Sequence, residues 1–95
     1  MRRHYVVSYD ISDDRRRNKV FKHLLGAGDH AQFSVFLCDL SDTELVQLRA
    51  KLRQAIHETE DQVMIVDLGE AKRPLEAGLE VLGKRFVPSV RVLVV

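Results

Sequence analysis

The stretch YDISDDRRRNKV, Tyr9 to Val20, ends a β-like run on a carboxylate and then opens a helix with three consecutive arginines. Upstream, HYVVSYDI (His4 to Ile11) is rich in β-branched and aromatic residues. It alternates Tyr5, Val7, Tyr9 and Ile11 with Val6, Ser8 and Asp10, which predicts a strand. Asp10 then stands near the strand's C-terminal end, on the face opposite Tyr9. Downstream, Ser12 or Asp13 is a natural N-cap for a helix from Asp14 to about Leu25. Its apolar positions Val20, Phe21, Leu24 and Leu25 make one stripe, and Gly26 and Gly28 are expected to stop it.

Further along, AQFSVFLCDL (31–40) predicts a second strand, with Phe33, Val35 and Leu37 on one face and Gln32, Ser34, Phe36 and Cys38 on the other. Ser41 to Glu44 is a capping box that opens a second helix, whose stripe includes Leu45, Leu48, Leu52, Ala55 and Ile56. Glu58, Glu60 and Asp61 form a solvated acidic turn. QVMIVDLG (62–69) is expected to be a buried strand ended by Gly69, and the polar segment 70–78, which contains Pro74, a loop. LEVLG (79–83) predicts a short strand, and SVRVLVV (89–95) another. An apolar terminal strand is an aggregation hazard unless something pairs with it, which points to a partner chain. The order β-α-β-α-β predicts a small α+β or α/β sandwich with its helices on one sheet face.

Ninety-five residues fit a single domain, 1–95. So short a chain buries only about three fifths to two thirds of its unfolded surface, so its core is small and a homodimer would help it. At 45% hydrophobic and 31% charged residues the composition is globular rather than disordered. The net charge of +1 hides an uneven distribution: Arg2, Arg3, His4, Arg15, Arg16, Arg17, Lys19, Lys22, His23 and His30 crowd into the first third. A local basic surface on a nearly neutral chain follows. Cys38 is the sole cysteine and lies in an apolar run, so it reads as core rather than nucleophile. No secretory signal is visible and no apolar run approaches the ~20 residues a membrane helix needs. The expected location is the cytoplasm, with no membrane partner.

Asp10 has a bland reading and a chemical one. In the bland one it is a polar residue at a strand end, Asp13 and Asp14 cap the helix, and the arginines face water. In the chemical one Asp10 holds a metal and the arginines hold phosphates, which a guanidinium can grip bidentately. An EF-hand is excluded, because Phe21 falls where the bidentate glutamate belongs. One cysteine and four scattered histidines exclude a zinc site. The Gly-rich phosphate loops are absent. A Mg²⁺ site of one or two carboxylates plus phosphate oxygens remains, and a twofold axis near Asp10 would supply the second carboxylate. Phe36 can be core, dimer contact or a base-stacking surface, with core the leading reading. Spacing leaves these readings open.

YDISDDRRRNKVFKHLLGAG followed by QFSVFLCDLSDTELVQLRAKL resembles the second of the two core CRISPR-associated adaptation proteins. That family consists of small cytoplasmic proteins that assist the CRISPR integrase. The resemblance rests on the strand ending Tyr-Asp-Ile, the Asp-Asp that follows, the Arg-Asn-Lys-Val helix start and the Gln-aromatic-Ser-Val-Phe strand. It is looser in the last third, through VMIVDL, LEVLG and the terminal strand.

The resemblance implies a ferredoxin-like βαββαβ domain with an extra C-terminal strand, about 89–95, that pairs with the partner chain in a homodimer. That arrangement needs one more strand between the helices, so Asp29 to Cys38 is expected to be a hairpinned pair. It implies Asp10 as the ligand of Mg²⁺ (or Mn²⁺) and Asp10, Tyr9 and Arg17 as catalytic residues. Arg17, Lys19 and Phe36 match positions of nucleic-acid contact, and the basic first third extends that expectation to Arg15, Arg16, Lys22 and His30. His30 stands where the family often has an arginine, which replaces a fixed cation by a titrating one. Expected partners are the integrase subunit, DNA and RNA. The implied function is CRISPR spacer acquisition, as a bridge to the integrase and as a metal-dependent endonuclease on single-stranded RNA or duplex DNA. The alternative is a toxin-type ribonuclease of the related virulence-associated D family, which shares the fold.

Overall fold

A computed structural model describes residues 1–87. The terminal strand expected over 89–95, and its addition to a partner's sheet, fall outside them. The chain runs β1 (Arg3–Asp10), α1 (Asp14–Leu25), β2 (Gly28–Gln32), β3 (Val35–Leu40), α2 (Asp42–Ala55) and β4 (Gln62–Glu70), then a single 3₁₀ turn, Leu75–Ala77. The sheet is antiparallel, in the order β2-β3-β1-β4, with β1 flanked by β3 and β4. This is the ferredoxin-like βαββαβ arrangement.

Both helices start as the sequence predicts. Asp13 caps α1, its carboxylate accepting the Arg16 N–H at 2.9 Å. Ser41 and Glu44 close a reciprocal capping box on α2. Each of these satisfies backbone donors that the first helical turn leaves without a partner. The helices lie on one sheet face over a core of Tyr5, Val7 and Tyr9 from β1, Ile11 just after it, and Phe36, Cys38 and Leu40 from β3. Val20 and Leu24 of α1 and Leu48, Leu52 and Ala55 of α2 complete it. Cys38 is buried and in no disulfide, as expected of a core residue.

The region 31–40 is not one strand. β2 begins at Gly28, the chain turns at Phe33 and Ser34, and β3 returns beside it, so the hairpinned pair forms. Phe33 therefore leaves the face expected for it beside Val35 and Leu37. Gly28 belongs to β2 rather than to the end of α1, which Gly26 caps. Glycine is required there, since a Cβ would sit 2.4 Å from the Leu37 carbonyl oxygen and 2.6 Å from the Cys38 Sγ.

β4 also departs from expectation. It runs to Glu70, and Gly69 lies in a bulge opposite His4, with φ +100°. A glycine takes that backbone conformation freely. Nor is β4 buried on both faces. Val63 and Ile65 pack against the core, whereas Met64 and Val66 face away and are 53% and 49% exposed. The 79–83 segment forms no strand. Residues 79–87 instead roof part of the open sheet face. A cavity of about 640 Å³ beneath them is lined by Val35, Leu37, Leu79 and Phe86, among others.

The N-terminal cations are spent within the fold. Arg2 reaches Asp39 at 2.8 Å and Glu44 at 2.7 Å, and Arg3 reaches Asp67 at 2.9 Å. Among the described residues no helix is long and apolar enough to cross a membrane.

Candidate metal and nucleic-acid site

Asp10 closes β1 in register with Gln62 of β4, and its carboxylate is exposed. Strand alternation sets it on the open sheet face with Ser8 and Val6, away from the helices. No hydrogen bond or ion pair engages it among the described residues. Among those residues no group of three or more His, Cys, Asp or Glu side chains could hold an ion together. Among the described residues, each chain therefore offers one free carboxylate at the end of β1, that of Asp10.

The three arginines that follow have separate tasks. Arg15 is exposed and unpaired among the described residues, as are Lys19 and Lys22. Positions 15, 19 and 22 recur at i, i+4 and i+7, so they line one face of α1. Arg16 is committed elsewhere: its guanidinium grips Asp61 at 2.7 and 3.2 Å and Glu60 at 3.2 Å. Asp61 also accepts the His57 N–H at 2.7 Å, and its side chain is fully occluded. The Arg16 hydrogen bond, followed by the His57 amide, holds the Asp61 carboxyl below its ordinary range against the opposing effect of burial. Arg17 folds back onto the β1–α1 connection. It pairs with Asp14 and donates to the carbonyls of Ile11 at 3.1 Å and Ser12 at 3.2 Å. It thereby fixes the backbone that follows Asp10.

Two predicted site residues do not reach the surface. The Tyr9 ring lies on the helix face, 6.4 Å from Phe36 between ring centroids. Burial pushes its phenol up, only partly offset by Arg17, so it stays protonated near neutral pH. Phe36 is wholly buried and offers no face to a base; the core reading holds. His30 is exposed but stacked on Phe36 at 4.8 Å and edge-on to Phe21 at 5.3 Å. Its Nε2 lies 3.2 Å from the Phe33 carbonyl, to which it donates. The Asp10 end of the molecule thus gathers Asp10, Arg17 and the start of the α1 stripe, while Tyr9 and Phe36 support it from within. The pairings of Arg16 with Asp61 and of Arg17 with two carbonyls carry no signal in the local sequence.

These features define a class: small α+β proteins of ferredoxin-like fold with one exposed carboxylate at the end of the first strand. Residues 2–74 match the family model of CRISPR associated protein Cas2. The chain belongs to this family, a core family of CRISPR adaptation. It is 36% identical over 91 residues to the CRISPR-associated endoribonuclease Cas2 of Geobacter sulfurreducens, covering 96% of this chain and 95% of that one. It is likewise 36% identical over 90 residues to a CRISPR-associated endonuclease Cas2 of Thermus thermophilus, covering 95% and 92%. A solved hypothetical protein from Thermus thermophilus superposes with a TM-score of 0.79 at 34% identity, over 94% of this chain and all of that one. Streptococcus pyogenes Cas2 superposes with a TM-score of 0.73 at 28% identity, over 84% and 99%. These matches do not favour the toxin-type alternative.

Proposed function

We propose that the chain is a metal-dependent endonuclease of CRISPR adaptation, working as a homodimer on single-stranded RNA or duplex DNA and joining the integrase to DNA. The observation that carries this reading is the exposed, free Asp10 carboxylate at the end of β1, followed in the chain by an α1 whose Arg15, Lys19 and Lys22 are unpaired among the described residues. An all-oxygen donor set with one carboxylate per chain suits Mg²⁺ or Mn²⁺, which keep waters and take phosphate oxygens as ligands. Asp10 would hold such an ion, together with Asp10 of a second copy. When bound, it supplies an acidified water and neutralises charge on the phosphoryl oxygens.

Arg15, Lys19 and Lys22 take the flanking phosphates, so the strand is positioned without base readout. Arg17 acts as a positioning residue, since it holds the two consecutive carbonyls, of Ile11 and Ser12, that follow Asp10. The outer face of β4, with Met64 and Val66 exposed, supports pairing with a second copy. Asp10 lies on the same sheet face, so a twofold pairing would draw the two carboxylates together. A cytoplasmic location accords with this role. The non-catalytic bridge is favoured by one observation: Arg16 and Arg17 are already engaged within the chain.

The deciding experiment is cleavage of labelled single-stranded RNA and duplex DNA with Mg²⁺ or Mn²⁺ by wild type and Asp10→Ala, purified identically. Metal-dependent cleavage abolished in the variant, with sedimentation unchanged, is the expected result. No cleavage, or equal cleavage by both proteins, leaves the DNA bridge.

A further inference from the structure

Phe33 occupies the turn between β2 and β3 and is 86% exposed, the most of any large hydrophobic side chain among the described residues. Exposure alone carries nothing, since single apolar residues at a surface are common. Three further observations set this one apart. Turns favour Gly, Asn, Asp and Ser for their backbone freedom and local hydrogen bonds, and phenylalanine offers neither. The tip is also braced from two sides: the Tyr9 N–H donates to the Ser34 carbonyl at 3.1 Å, and His30 Nε2 holds the Phe33 carbonyl at 3.2 Å. His30 is itself fixed by its stack on Phe36. Finally, the first brace lands on the residue before Asp10, so the ring is presented at the end of the sheet that carries the free carboxylate.

Resting on the nucleic-acid reading above, we infer that Phe33 is a stacking platform for an unpaired nucleobase of a strand whose phosphates lie along α1. An aromatic face accepts any base, because every base has a π-face, and stacking is strong enough to register in affinity. Holding the turn rigid in advance lowers the ordering cost of binding. A base inside a duplex is already stacked and gains nothing from the ring. Phe33 therefore favours single strands over duplex. His30 acts through Phe33, as the clamp on its backbone.

The test is binding of 2-aminopurine-labelled single-stranded RNA, and of blunt duplex DNA, in chelator. Wild type, Phe33→Ala, Phe33→Tyr and an Arg15→Ala/Lys19→Ala variant are compared, with sedimentation of each. Expected for Phe33→Ala is loss of 2-aminopurine quenching and about tenfold weaker single-strand binding. Duplex affinity and salt slope stay unchanged, and Phe33→Tyr behaves as wild type. If Phe33→Ala quenches and binds as wild type while the double variant is weakened, the platform is refuted and the phosphate contacts stand. Should wild type bind no nucleic acid, both readings fall together. A change of oligomeric state in Phe33→Ala, with single-strand and duplex binding abolished alike, would make the ring a contact between copies and overturn the platform.

Discussion

Arg16 and Arg17 are neighbours in sequence with different occupations, and each is distinguishable from Arg15 by substitution. Arg16→Ala and Asp61→Asn each break one ion pair whose carboxylate is occluded. Both should lower the urea midpoint, and the double variant should fall by less than the sum. Arg15→Ala should stay within about 0.5 kcal/mol of wild type, as exposed positions do. The same pair predicts a pH dependence. The folded Asp61 carboxyl titrates below its unfolded value, so its contribution is complete above the ordinary carboxylate value and is lost as pH falls through the lowered one. Urea midpoints measured downward from about pH 5 should fall for wild type below about pH 4, and Asp61→Asn should flatten that limb. Asp10, Asp13 and Asp14 are legible from alternation and capping alone, because those signals act within a few residues. The partner of Arg16 lies 45 residues away and leaves no such trace.

At the scale of elements, α1 separates structural from surface cations. Replacing Arg15, Lys19 and Lys22 by alanine should make the salt dependence of duplex binding shallower, by about one unit of slope for each phosphate no longer neutralised. Such a variant should keep its fold, since none of the three is paired among the described residues. An unchanged slope would move the phosphate surface off α1. In the β2–β3 hairpin, Gly28→Ala should destabilise by about 1–3 kcal/mol, the usual cost of overpacking, because backbone and the Cys38 sulfur bound the space. Thermal unfolding measures it. Helix limits are legible because caps announce them. The hairpin is not legible from local chemistry: its turn holds no Gly, Pro or Asn, and no non-glycine residue among those described takes a positive φ. Only the resemblance asks for a strand pair there.

For the molecule as a whole, both helices, the first strand and the choice of covered face can be read from periodicity. The second face of β4 cannot. QVMIVDLG is nearly continuous in apolar residues, a pattern shared by strands buried on both faces of one chain and by strands whose outer face meets another copy. Val66→Lys discriminates, since it places a charge on the open face without entering the core. It should convert a dimer to monomer in sedimentation with the melting temperature of the isolated fold preserved. A dimer that persists would transfer the contact to another surface.

The chain has two tyrosines and no tryptophan, and Tyr5 and Tyr9 both lie buried on β1. Its ultraviolet emission is thus a reporter of the central strand alone, seen from the helix side. Denaturation should change that emission in one step with the core. Chemistry at Asp10, on the opposite face of the same strand, should leave it silent. The protein carries its own label for folding, spectrally separate from any dye placed on a nucleic acid.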